Sequence, residues 1–144
     1  MSVRAKSFSM TMPWIDLGHE LRLGVDGEGT WAVNAGSQTW PLSVPDDYYR
    51  LVILLERPYP DVSHLIDSYC AVAHRDFPIE LVVRAGLIFQ SDYWADLALV
   101  WLPALSPKRR VTLADALRTV SSARWARQRT RQRANRELRR LPLQ

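Results

Sequence analysis

Cysteine, lysine and long apolar runs are all scarce in this chain, and each scarcity excludes something. A single cysteine in 144 residues, Cys70, leaves no disulfide within the chain, so the fold must rest on its own core and a reducing, cytoplasmic interior is the natural compartment. The most apolar stretch, from Tyr93 to Leu105, is interrupted by Asp96 and Pro103 and falls short of the roughly 20 residues that a membrane helix needs. The first dozen residues lack the apolar run of a signal peptide. No membrane partner is expected. Catalytic signatures are missing too: there is no P-loop, no dinucleotide fingerprint and no G-x-S-x-G, and His19-Glu20 does not continue into a zinc-protease motif. The adjacent carboxylates Asp46 and Asp47 stand at a helix start, where the helix dipole accounts for them. The sequence therefore gives no reason to propose an enzyme or a cofactor.

What the chain has instead is segregated charge. Residues 1–106 hold 7 Lys or Arg against 13 Asp or Glu, a net of −6, whereas residues 107–144 hold 12 against 2, a net of +10. Only 2 of the 19 basic residues are lysine, a bias that codon usage can produce, but codon usage does not explain why the charge is gathered at one end. With the boundary drawn where Thr112 and Asp115 open the last helix, the chain divides into an acidic body at 1–111 and a basic segment at 112–144.

Along the body, residues 1–18 read as irregular, with Pro13 and Gly18 as breakers. From about 19 to 42 the pattern is a small β meander of two or three strands. Leu21, Leu23 and Val25 share one face, Trp31 and Val33 continue it, and the turn residues Asp26–Gly29 lie between. Helical patterns fill about 44–105. Ser43, Pro45 and Asp46 open a first helix that Pro58 and Pro60 stop; Asp61 opens a second; Asp76 and Pro78 a third; Ser91 and Asp92 a fourth. The opening prolines lie 33 residues apart and the opening aspartates 31 apart, so two antiparallel helix hairpins are expected. In layout alone they resemble a short α-solenoid of the HEAT type, and a small bundle describes them equally well. The fold class expected is mainly α, with an N-terminal meander and one long basic C-terminal helix.

The second helix offers His64, Asp67, Cys70 and His74, all of types that bind Zn²⁺ or Ni²⁺. One helix rarely closes a metal site, and a solvated polar face with a half-buried cysteine explains the same residues. No metal is expected, and these four are the only weak candidates. Cys70 and His74 could touch across one turn, but nothing there would activate a thiol.

The last segment carries the most information. Leu113, Ala116, Leu117, Val120 and Ala123 make an apolar stripe that Ala134, Leu138 and Leu141 resume. On an unbroken helix Arg127 and Arg131 fall on that stripe, and burying them would strand two charges. The helix is therefore expected to leave the body near residue 124. Arg118, Arg129, Arg133, Arg136 and Arg140 line the opposite face, with Trp125 at its border. Guanidinium groups pair with phosphate in bidentate fashion and an indole can stack on an unpaired base. The segment from Arg127 to Arg140 resembles arginine-rich RNA-binding peptides in composition. The partner expected is an acidic macromolecule, with protein favoured over nucleic acid, and the chain reads as a non-enzymatic adaptor, assembly or regulatory protein. Its oligomeric state is left open.

Overall fold

A computed structural model of the chain describes residues 14–142, so the reading of the first thirteen residues as irregular lies outside the described part. Four antiparallel strands, β1 (Ile15–Gly18), β2 (Leu21–Val25), β3 (Trp31–Ala35) and β4 (Gln38–Pro41), form one sheet in the order β1-β2-β3-β4. The register pairs Ile15 with Leu23, Leu23 with Val33 and Val33 with Trp40, so alternate residues share one face. On that face Ile15, Leu17, Leu23, Val25, Trp31 and Val33 are buried. On the other face the Trp14 ring lies over Gly24, where an added Cβ would sit 2.8 Å from it.

The sheet starts earlier than the sequence suggests and has one strand more. Ile15 and Leu17 alternate as well as any later pair, but the turn that follows them carries no glycine at its centre. His19 and Glu20 both take positive φ, 53° and 61°, and join β1 to β2 as a two-residue turn. That is the conformation a tight hairpin requires, reached here by residues that rarely adopt it. Between β2 and β3, the Asp26 carboxylate accepts the N–H groups of Glu28 (2.9 Å) and Thr30 (3.0 Å), and Gly29 takes φ 83°.

Seven helices follow: α1 (Pro45–Glu56, a 3₁₀ helix), α2 (Tyr59–Ala73), α3 (Glu80–Ile88), α4 (Asp92–Trp101), then α5 (Pro107–Val111), α6 (Ala114–Ser121) and α7 (Gln128–Arg139). A 3₁₀ turn at Leu102–Ala104 links α4 to α5. The entry to α1 is capped by Asp47 rather than by Ser43, because its Oδ2 accepts the N–H groups of both Ser43 (2.8 Å) and Val44 (3.0 Å). At α4 the Ser91 hydroxyl accepts the N–H of Trp94, as its sequence position implies.

The expected pair of helix hairpins does not form. The chain is a mixed α/β fold dominated by helix, 57% helical over the described residues. The first hairpin fails because α2 turns to the sheet. The Val25 N–H donates to the Tyr69 hydroxyl (3.1 Å), Tyr69 packs on Trp31, and the Trp31 indole donates to the Asp76 carbonyl (3.0 Å). Strand and helix thus share one core, and no solenoid stacking arises. The centre is α3, packed against α1, α4 and α6. Gly86 permits the closest approach: a Cβ there would meet Leu55 Cδ1 at 2.5 Å, Ala98 Cβ at 3.0 Å and the Trp94 carbonyl at 3.1 Å.

The expected single basic helix is also broken. Residues 112–142 hold two helices, α6 and α7, separated by the six residues 122–127, and the short α5 lies just before them. Beyond the break the chain returns to the body, packing on α6 and α4, and does not protrude from residue 124. Among the described residues no helix is long and apolar enough to cross a membrane.

Candidate functional site

The basic segment can be followed from the residues that fix it in place. In α5, the Arg109 guanidinium bridges to Asp76 (2.8 and 2.9 Å) and to Glu80, fastening this short helix to the start of α3. In α6, Leu117 and Val120 are fully buried. The break at 122–127 then resets the helical phase. Ala126 just before α7 and Thr130 and Ala134 within it, spaced four apart, become a buried row, with Leu138 and, past the helix end, Leu141 continuing it against the core. Small residues in such a row let two helices lie close together.

This new phase resolves the difficulty posed by Arg127 and Arg131, because neither lies on the buried row. Arg127 is the residue that caps α7, and its N–H donates to Asp92 Oδ1 (2.8 Å) while its guanidinium lies 3.6 Å from Oδ2. Arg131 reaches back to donate to the carbonyls of Ala126 and Ala123, closing the break from within. One turn along α4 from Asp92, Asp96 accepts from Arg133 (2.8 Å). Burial opposes ionisation of Asp92. The Arg127 N–H, the Thr130 hydroxyl and the guanidinium groups of Arg127 and Arg129 outweigh it and hold the carboxyl below its usual range. So α7 is held by an apolar row and by two carboxylates of α4.

The exposed positions of α7 are Gln128, Arg129, Gln132, Asn135, Arg136 and Arg139, with Arg140 at the cap that ends it. All are arginine or side-chain amide. Among the described residues Arg129, Arg136 and Arg139 form no ion pair, while Arg140 pairs with Glu137 (3.1 Å) one turn away. Arg118, on α6, pairs with Asp115 (2.7 Å) and shares a surface groove with Arg139, floored by Val111, Ala114, Leu138 and Leu141.

No family model, curated protein or solved structure matches the chain.

Of the residues singled out in the sequence, Arg129, Arg136 and Arg140 come together on the open side of α7. Arg133 lies at the edge of that side, held by Asp96, and Arg118 stands across a groove from it. Trp125 does not stand out from the surface; it is half-buried against the core. Gln128, Gln132, Asn135 and Arg139 were not singled out, although their spacing of four, three and four residues was visible as one helical face.

The second-helix candidates do not assemble. Among the described residues no group of three His, Cys, Asp or Glu side chains is placed to hold a metal ion. The physical reason lies at the helix end: α2 stops at Ala73, and His74 takes a left-handed conformation, φ 56°, that carries it off the face of His64, Asp67 and Cys70. Burial raises the Cys70 thiol, and the charges of Asp67 and Asp76 add to this, so it is held as thiol rather than thiolate.

Proposed function

We propose that the chain is a non-catalytic nucleic-acid-binding protein that grips phosphate groups through the outer side of α7. The observation that carries this reading is the composition of that side, which holds only guanidinium and amide groups at its exposed positions, with no apolar and no acidic residue among them. Protein interfaces take most of their affinity from aromatic or aliphatic anchors at a dry centre. Such anchors are missing here, so nucleic acid is placed ahead of a protein partner, the reverse of the order favoured by the sequence alone. Phosphate suits the face because arginine forms bidentate hydrogen bonds to it and the gain from released counterions needs no apolar contact. Trp125 has no stacking role in this proposal. A reducing compartment such as the cytoplasm suits the free thiol of Cys70.

The test is a gel-shift titration with mixed-sequence nucleic acid, comparing the wild type with the triple variant Arg129→Gln, Arg136→Gln, Arg139→Gln. These side chains are exposed and form no ion pair among the described residues, so the melting temperature should change little. Binding at low salt should fall by roughly a hundredfold or more and lose most of its salt dependence. A triple variant that binds as the wild type does would overturn the reading. A wild type that retains no nucleic acid at low salt would do the same and return the face to a protein partner.

A further inference from the structure

Two rows of side chains run along the outer side of α7, and they differ in chemistry. At about 100° per residue, Gln128, Gln132, Asn135 and Arg139 fall within roughly 60° of one another, and Arg129, Arg136 and Arg140 within roughly 40°. The direction opposite the buried row of Thr130, Ala134 and Leu138 falls between the two rows. The guanidinium row flanks it on one side. On its other side lies α6: Ser121 shares a depression with Gln128, Gln132 and Asn135, and Arg118 shares a groove with Arg139. The amide row thus lies between the guanidinium row and the α6 surface, which brings Arg118 to its far end.

From this arrangement we infer that the ligand is duplex DNA, with α7 lying in the major groove and its amide row reading base edges. This rests on the proposed nucleic-acid binding and narrows it. The helix is about 18 Å long and, with side chains, about 10–12 Å across, which matches a groove about 12 Å wide with a phosphate backbone along each side. Arg129, Arg136 and Arg140 face one backbone and Arg118 the other. Arg118 is now engaged in an exposed pair with Asp115, which phosphate can displace, and Arg140 in a pair with the largely buried Glu137. Asn and Gln are the side chains that pair in bidentate fashion with adenine N6 and N7, and Arg139, in the same row, is suited to guanine O6 and N7. Double-stranded RNA fits poorly, because its major groove is too deep and narrow for side chains to read. Single-stranded RNA is recognised mainly by stacking on aromatic rings, and this side of α7 offers none.

The experiment is a selection from a random-sequence 30-base-pair DNA pool, with double-stranded and single-stranded RNA of the same length titrated in parallel. An enriched DNA sequence is expected, with duplex DNA bound at least tenfold tighter than either RNA. The variant Gln132→Ala, Asn135→Ala should lose roughly ten- to a hundredfold on the enriched site and little on random DNA. In contrast, Arg129→Ala should weaken binding to all sequences alike and lower the salt slope by about 1. Nucleic acid bound with no enriched sequence, with RNA preferred, or with the amide variant keeping its preference would overturn the duplex reading and leave phosphate binding standing. No binding to any of the probes would overturn both.

Discussion

The two sides of α7 carry the same residue type put to opposite uses. At the edges of the inner side, Arg131 and Arg133 are occupied by the carbonyls of Ala123 and Ala126 and by Asp96. At the helix start Arg127, its side chain exposed, gives its backbone N–H to Asp92. On the outer side, Arg129, Arg136 and Arg139 have no ion-pair partner among the described residues. The contrast teaches that counting arginines cannot separate those that the fold occupies from those that it leaves open. What decides is whether an acceptor from another element reaches them, and in α7 those acceptors come from α4 and from the break before the helix.

The largest expected effect comes from abolishing the inner side. Ala134 is fully buried, so Ala134→Asp should place an unpaired carboxylate in the core and cost about 3 kcal/mol or more by urea denaturation. The matching change outside, Gln132→Asp, should alter stability by no more than about 0.5 kcal/mol. Equal effects of the two would erase the distinction drawn between the sides.

Next comes the carboxylate at the start of α4. Asp92→Asn should cost about 1 kcal/mol, since it weakens charge-assisted hydrogen bonds at a half-buried site. Its acid dependence follows from the lowered carboxyl. A group whose folded pKa lies below its unfolded value stabilises the fold above the unfolded value of about 3.9 and loses that contribution as pH falls through the folded value. The stability difference between the wild type and Asp92→Asn should therefore be constant above about pH 5 and shrink below about pH 4. A difference that persists undiminished at pH 2 would show that Asp92 holds α7 by some means other than its charge.

A smaller effect is expected at Asp96. Its pair with Arg133 is partly exposed, so Asp96→Ala should cost about 0.5 kcal/mol. The same change frees Arg133 to join the outer row and should raise the salt slope of nucleic-acid binding by about 1 while tightening it a few-fold. Weaker binding would place Arg133 with the purely structural arginines. Smallest of all, Arg118→Ala should leave stability within about 0.5 kcal/mol, because both members of its pair with Asp115 are exposed.

How much of this the sequence shows depends on the range over which each feature is determined. Local patterns were legible: the alternation of Leu21, Leu23 and Val25 in β2, the Ser91 cap of α4, and the apolar stripe of α6. β1 was hidden because His19 and Glu20 occupy turn positions where Asn and Gly would have announced a hairpin. The destination of α2 was hidden for another reason. Periodicity shows which face of a helix is buried but not what buries it, and Tyr69 finds Val25 and Trp31 on strands far back in the chain. The break before α7 contains neither glycine nor proline. It depends on Asp92, thirty-five residues earlier, accepting the N–H of Arg127, and no local rule could reveal that. The arginine-rich surface was visible in advance, whereas its division into occupied and open cations required the tertiary structure.

The clamp of Asp92 and Asp96 beneath α7 has a consequence for how the molecule would meet a polyanion. With carboxylates fixed on its inner side and open guanidiniums outside, the helix bears a charge gradient across its own axis rather than along it. In the field of a polyanion such an object is turned before it touches, so most encounters begin with the outer side leading. Added salt should then slow association more than it speeds release, because screening removes the torque at a distance before it reaches the contacts themselves.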